Sequence, residues 1–168
     1  GCRVVGIAGG PEKCKWVVDE LGFDACVDYR EAGLFKALRA ECPDGIDVYF
    51  DNVGGTVLET VLALMNEKGR IACCGAISQY DTKAPTGPRN LPGLVVVKRL
   101  RMEGFIVMDF ADDDAKAIRA LQTWVRSGQI KVTEDVVEGL ENAPKALIGL
   151  LAGDNKGKRM VRVTADPS

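Results

Sequence analysis

The chain has 168 residues, with 22 basic against 24 acidic side chains and a formal net charge of −2. That length suits one ordinary domain, and the near-balance of charge argues against a broad nucleic-acid-binding or membrane-binding surface. Histidine is absent, which removes the commonest metal ligand and general base together and predicts no metal site.

In chain order, the apolar run at residues 3–7 reads as a strand, and Ala8, Gly9 and Gly10 as the turn into a helix. That helix carries Cys14, Val17, Val18 and Leu21 at the i, i+3, i+4, i+7 spacing of a one-sided helix. A strand at 25–27 and a helix at 33–42 follow, then a strand at 46–50. Leu58, Val61, Leu62 and Met65 repeat the helical spacing before a strand at 70–74. The stretch "AISQYDTKAPTGPRNLPG" reads as a long loop, rich in Pro, Gly and polar residues, and such loops are often functional. A strand is predicted at 101–107. Ile118, Leu121 and Val125 then mark a helix between the acidic residues 112–114 and Gly128, a C-terminal cap. "IKVTEDVVEGL" breaks the rhythm and leaves room for an added edge strand. The last helix, 143–151, is predicted to be capped by Asn142 with Pro144 in its first turn, ahead of a strand at 159–163.

Near-continuous apolar strands alternating with helices imply a parallel sheet covered on both faces. The predicted fold is therefore α/β, a doubly wound parallel sheet of Rossmann type. The six cysteines (2, 14, 26, 42, 73 and 74) include no C-x-x-C pair and mostly lie inside apolar runs, so buried reduced thiols are expected rather than a disulfide framework. No apolar run approaches the roughly 20 residues needed to span a bilayer. No signal peptide is visible, which points to the cytoplasm, and Gly1 in place of Met suggests a cut or processed chain.

In open α/β sheets, ligands bind beyond the carboxyl ends of the strands. Here those ends, residues 8–13, 51–55, 74–80 and 105–107, carry small or polar residues. A dinucleotide site normally announces itself with G-x-G-x-x-G after the first strand, and that spacing is absent, as is a P-loop. Both oddities resolve if the first strand seen here is the second strand of a dinucleotide fold, the glycine turn and its strand lying upstream of Gly1. In that frame an NAD enzyme places an acid at the strand end, whereas an NADP enzyme prefers basic residues. Residues 8–10 hold no acid, and Lys13 stands in the first helical turn. A cation there costs about 0.3–1 kcal/mol against the helix dipole, and a phosphate reverses the sign. The prediction is that Gly10 and Lys13 meet a 2′-phosphate; the bland alternative is a surface lysine offset by Glu12.

The segments "GGPEKCKW", "LGFDACVDYR", "PDGIDVYFDNVGG", "GRIACCGAISQY", "RLRMEGFIV" and "GDNKGK" run almost the full length of the chain. In that order they resemble the cofactor domain of the zinc-independent medium-chain dehydrogenase/reductase family. This group contains prostaglandin reductase, plant alkenal double-bond reductases and bacterial curcumin-reductase-like enzymes. The resemblance implies that residues 1–168 form the NADP-binding domain of a longer reductase, with a GroES-like substrate domain and an A-x-x-G-x-x-G turn ahead of it. Such a fragment is expected to bind NADP(H) weakly and to show no turnover unaided.

Position by position, the resemblance places Lys13 and Tyr29 at the 2′-phosphate and Asn52 near the cofactor at the next strand end. Cys74, Gly75, Ala76, Ile77, Ser78 and Tyr80 match the loop along the nicotinamide half. Phe105, Ile106 and Val107 match the segment whose backbone meets the nicotinamide amide, and Asn155 a late asparagine reaching back to the cofactor. An ordinary strand-end tyrosine and a turn asparagine remain the alternatives for Tyr29 and Asn155. The implied reaction is hydride transfer from NADPH to the β-carbon of an α,β-unsaturated ketone or aldehyde, with stabilisation of the enolate. Animal and plant members carry a tyrosine where this chain has Val97, which leaves Tyr80 as the candidate catalytic hydroxyl. "PTGPRNL" has a bacterial character, and a homodimer is implied for the full-length protein. A non-catalytic nucleotide-binding or assembly module is the alternative; a methyltransferase fits less well, since "GGPEK" offers adenosylmethionine no acid for its ribose.

Overall fold

The apolar segments form seven strands among the described residues, and every pairing between them is parallel. The structure, a computed structural model, describes residues 1–80, 82–84 and 86–164. β1 (Val5–Ala8) pairs with β2 (Ala25–Asp28), and β3 (Ile46–Asp51), β4 (Met65–Cys73) and β5 (Arg101–Gly104) form a second group in that order. β6 (Glu134–Glu138) pairs with β7 (Lys158–Arg162). Parallel neighbours need crossovers rather than hairpins. α1 (Pro11–Asp19), α2 (Leu34–Glu41), α3 (Gly55–Leu64), α4 (Leu91–Lys98), α5 (Asp114–Arg126) and α6 (Ala143–Leu151) alternate with the strands. This is the expected Rossmann-like α/β fold, with its strands in three hydrogen-bonded groups. β1 and β3 each pair on one edge only among the described residues.

The chain separates into two compact units, one of residues Gly1–Val18 with Gly22–Asp114 and the other of Asp19–Leu21 with the chain from Ala115. The core of the first is built on α3, which buries Val57, Leu58, Val61, Leu62 and Leu64 and keeps only the stripe of Thr56, Glu59, Thr60 and Ala63 toward solvent. Val27, Leu38, Met65, Ile71 and Leu100 close around it. A helix with so broad an apolar face has to be packed over most of its circumference, so α3 sets where the strand ends after β3 and β4 can lie. Its C-terminus is tied down by Lys98, whose ammonium donates to the carbonyls of Leu62, Ala63 and Met65 at 3.1, 2.8 and 2.7 Å. Desolvation there holds the ammonium below the usual lysine range.

Several boundaries depart from the sequence reading. α3 stops at Leu64, and Met65 already pairs with Ile46. The β4 register then slips before Arg70 meets Val48, through Lys68 at φ 61°, while Asn66 donates to Asp47 Oδ1 at 2.9 Å and to the Asp44 carbonyl at 3.0 Å. β5 ends at Gly104, so residues 105–107 leave the sheet instead of extending it. Asn142 precedes α6, but its side chain makes no capping bond; it donates back to the Glu138 carbonyl at 2.7 Å. Pro144 does sit in the first turn of α6, and Gly128 closes α5 with φ 74°. The apolar stripe of α5 forms as predicted, yet Ile118, Leu121 and Val125 stay 42–54% exposed. The edge strand in "IKVTEDVVEGL" is β6. No helix of the described residues is long and apolar enough to cross a membrane.

All six cysteines are free thiols, but not uniformly buried ones: Cys2 and Cys74 are exposed and the other four half-buried. Cys74 lies one residue past the end of β4, where the strand's inward alternation no longer applies. Burial pushes the Cys26 thiol up to about 12, and the neighbouring Cys14 adds to the effect. The thiolate is the nucleophile. With iodoacetamide, Cys2 and Cys74 are therefore expected to alkylate first and Cys26 last, as read by mass spectrometry of timed samples. Cys26 labelling as fast as Cys74 would refute this order.

Candidate functional site

The first strand end is a clamped glycine corner. Asp28, the last residue of β2, uses one carboxylate oxygen, Oδ1, to accept from the Gly10 and Arg30 amides, each at 2.9 Å. Those two bonds hold its carboxyl below the ordinary range, so the clamp is intact at neutral pH. The clamp's contribution to stability is present above the ordinary carboxylate range and is lost as pH falls through the depressed value. Tyr29 donates its amide to the Ala8 carbonyl at 3.0 Å. Its ring packs so closely on Gly9 that a Cβ there would lie 3.0 Å from both Cε1 and the hydroxyl oxygen, and 2.9 Å from Arg30 Nε. A larger residue at this position would have to push the Tyr29 ring and the Arg30 side chain aside. Lys13, half-buried, follows in the first turn of α1. The structure thus brings Gly10, Tyr29 and the start of the Lys13 helix to one corner, as the sequence reading expects.

The second strand end is organised by Asp51, the last residue of β3 and 2% exposed. Its Oδ1 accepts from the Tyr49 hydroxyl at 3.0 Å and from the Val53 and Gly54 amides at 3.0 and 2.9 Å. Its own carbonyl accepts from the Cys74 and Gly75 amides at 2.7 and 3.3 Å. Burial, with Asp51 alongside, raises the Tyr49 phenol well above its ordinary range, so it remains a donor. The turn after β4 is laid against the turn after β3. Ile77 and Ser78 donate their amides to the Asn52 and Val53 carbonyls, each at 3.1 Å, and the Ser78 hydroxyl donates to the Val53 carbonyl at 2.6 Å. Asn52, Gly75 and Tyr80 converge: a Cβ on Gly75 would lie 2.5 Å from Asn52 Oδ1 and 3.0 Å from the Tyr80 hydroxyl. The Ala76 amide reaches that hydroxyl at 3.4 Å.

The third strand end is apolar. Phe105 donates its amide to the Cys73 carbonyl at 3.3 Å. Its ring stands 6.1 Å from Phe50 and 6.3 Å, edge-on, from Phe110. Ile106 and Val107 are exposed beside it, as is Val97 on α4. Asn155 belongs to the second unit, where its side chain donates to the Gly157 carbonyl at 2.7 Å within its own turn.

Three contributors escaped the sequence reading. Asp28 and Arg30 flank Tyr29 in "DYR", and Asp51 precedes the glycines of "FDNVGG". An acid at a strand end before a turn is a signal for side-chain-to-backbone bonding, and that signal was available.

Parallel strands with crossover helices and glycine-lined turns at their carboxyl ends define a Rossmann-like nucleotide-site architecture. Residues 1–123 match the family model described as zinc-binding dehydrogenase. The chain belongs to the zinc-independent branch of the medium-chain dehydrogenase/reductase family. It is 45% identical over 171 residues to the NADPH-dependent curcumin reductase of Escherichia coli K12, a match covering 99% of this chain and 50% of that protein. It is 46% identical over 164 residues to prostaglandin reductase 1 of Rattus norvegicus, covering 96% of this chain and 50% of that one. The crystal structure of CurA from Vibrio vulnificus in complex with NADPH superposes with a TM-score of 0.92 at 44% identity, over 99% of this chain and 51% of that one. The chain thus spans about half the length of the curated relatives it matches. The zinc of the family description does not fit these residues: the sequence has no histidine, and among the described residues no three of Cys, Asp and Glu are grouped to hold a metal ion.

Proposed function

We propose that this chain is the NADP-binding domain of a bacterial cytoplasmic enzyme that reduces the carbon–carbon double bond of α,β-unsaturated ketones or aldehydes with NADPH. The observation that carries the reading is the glycine corner, with Lys13 and Tyr29 at the strand end and no acid in residues 8–10. The names of the relatives and the NADPH complex of CurA support it. The residues fit such a cofactor: Gly10, with φ 93°, meets nothing within 4 Å of where a Cβ would stand, and Lys13 follows it in the first turn of α1. When bound, NADPH supplies the hydride.

Gly10, Lys13 and Tyr29 hold the 2′-phosphate. The turn from Cys74 through Gly75, Ala76, Ile77 and Ser78, with Asn52, follows the nicotinamide half, and residues 105–107 meet the amide with their backbone. Asn155 is proposed as a late cofactor contact, and the full-length protein as a homodimer, a state that light scattering checks. Tyr80 is 65% exposed, its hydroxyl held beside Asn52 and Gly75, and it is the group proposed to give its proton to the α-carbon of the substrate's enolate, the phenol regaining one from solvent.

Incubation of the full-length protein with NADPH and a simple enone is expected to give the saturated ketone. Formation of the allylic alcohol, or no consumption of NADPH, would reject the reading; NADPH binding without turnover would instead favour a nucleotide-binding module. Tyr80→Phe is expected to lower kcat about 100-fold or more, as general-acid contributions run to roughly 10²–10⁴-fold, with NADPH affinity nearly unchanged. Unaltered turnover would remove Tyr80 from the mechanism.

A further inference from the structure

The glycine corner holds a second cation, Arg30, beside Tyr29. Arg30 is held at both ends. Its amide donates to the same Asp28 oxygen that holds the Gly10 amide, each at 2.9 Å. Its guanidinium carbon lies 6.0 Å from the centre of the Tyr29 ring, and its Nε would be 2.9 Å from a Cβ on Gly9. The guanidinium therefore lies against the turn from which α1 starts, and the backbone that carries it is clamped to that turn. The planar fork of a guanidinium loses less freedom per hydrogen bond formed than a lysine ammonium does.

Charge counting shows why one cation falls short. A phosphate monoester carries about −1.5 to −2 at neutral pH. The corner already holds the Asp28 carboxylate and, in the first turn of α1, Glu12. Against these stand Lys13 and the partial positive charge of the helix N-terminus, about half a unit. Without Arg30 the corner is net negative before any ligand arrives. With it, two cations and the helix end outweigh the two carboxylates, and the corner turns net positive before a dianion arrives.

We propose that Arg30 is a second specificity-determining residue, its guanidinium pairing with the 2′-phosphate opposite Lys13 and making the corner selective for NADPH over NADH. This rests on the NADPH reading given above. It assigns to Arg30 a role in ligand discrimination, and to Asp28 the task of positioning both Arg30 and Gly10.

The test measures dissociation constants of the full-length protein and of Arg30→Met, Arg30→Lys and Lys13→Met for NADPH, NADH and 2′,5′-ADP by calorimetry. Thermal unfolding of each variant reports on folding. Arg30→Met is expected to weaken NADPH and 2′,5′-ADP about tenfold while NADH changes less than about twofold, and Arg30→Lys to recover part of the loss. If Arg30→Met keeps the wild-type preference for NADPH while Lys13→Met loses it, the role of Arg30 is overturned and the NADPH reading stands. If the wild-type protein binds NADPH and NADH alike, both fall. If Arg30→Met fails to fold, Arg30→Lys decides: a wild-type preference overturns the guanidinium pairing, and a reduced one supports it.

Discussion

Asp51→Ala is expected to lower the unfolding free energy by about 3–5 kcal/mol, and Asp51→Asn by only about 1 kcal/mol, as measured by denaturant titration. Three donors converge on one oxygen of this carboxylate: the Tyr49 hydroxyl and the Val53 and Gly54 amides. Alanine strands all three in a site that is 2% exposed at Asp51 itself. Each unsatisfied buried group costs about 1–3 kcal/mol. Asparagine keeps an oxygen at Oδ1 and loses the charge, so most of the geometry survives. The contrast separates hydrogen-bond satisfaction from charge. Equal losses for the two variants would refute the assignment to Oδ1. The exposed ion pair between Arg3 and Glu41, at 2.9 Å, is a reference with the opposite expectation. Exposed pairs contribute about 0–1 kcal/mol, so Arg3→Ala should scarcely move the transition.

Lys13→Met in the full-length protein is expected to weaken NADPH binding about 10- to 100-fold and to leave NADH binding within about twofold. A hydrogen bond to a charged group contributes about 1.5–3 kcal/mol, and each 1.4 kcal/mol is tenfold in affinity. The loss should be largest at low ionic strength, because salt screens a half-buried cation facing a phosphate, though less than a fully exposed one. An equal loss for both coenzymes would mean that Lys13 supports the helix start and not the phosphate. Unchanged binding of both would return Lys13 to the surface-lysine alternative. Comparison with Arg30→Met divides the selectivity between the two cations.

These predictions differ in how far the sequence announces them. Lys13 in "GGPEK" stands out because a cation in a first helical turn opposes the dipole, an argument that needs only local spacing. Tyr29 comes from resemblance, and the structure gives it a physical reason: its ring occupies the space over Gly9. Asp28 reaches the Gly10 amide of another turn, which spacing does not announce, whereas the Asp51 carboxylate bonds only within two or three residues, so its local strand-end signal was legible. Arg30 goes unmarked because nothing in "DYR" says that its side chain will fold back over a glycine some twenty residues earlier in the chain. Asn142 illustrates the reverse error. Its residue type fits a helix cap, but the Glu138 carbonyl offers its amide a competing acceptor.

The order of strands and helices was legible in the sequence, because hydrophobic periodicity and glycine placement act over a few residues, except for α4 (Leu91–Lys98), which starts inside the stretch read as a loop because Pro92 and Gly93 lie in its first turn. The helix at Ala143–Leu151 was read to the residue, and β6 lies within the segment where an edge strand was allowed. Tertiary structure decided where the elements stop and which polar groups meet. β5 ends at Gly104 although the apolar run continues to Val107, and the stripe on α5 forms but stays exposed. Periodicity records a side chain's preference for burial; only the packing of distant segments decides whether that burial exists, and only the backbone turns at the strand ends decide which donors reach Asp28 and Asp51.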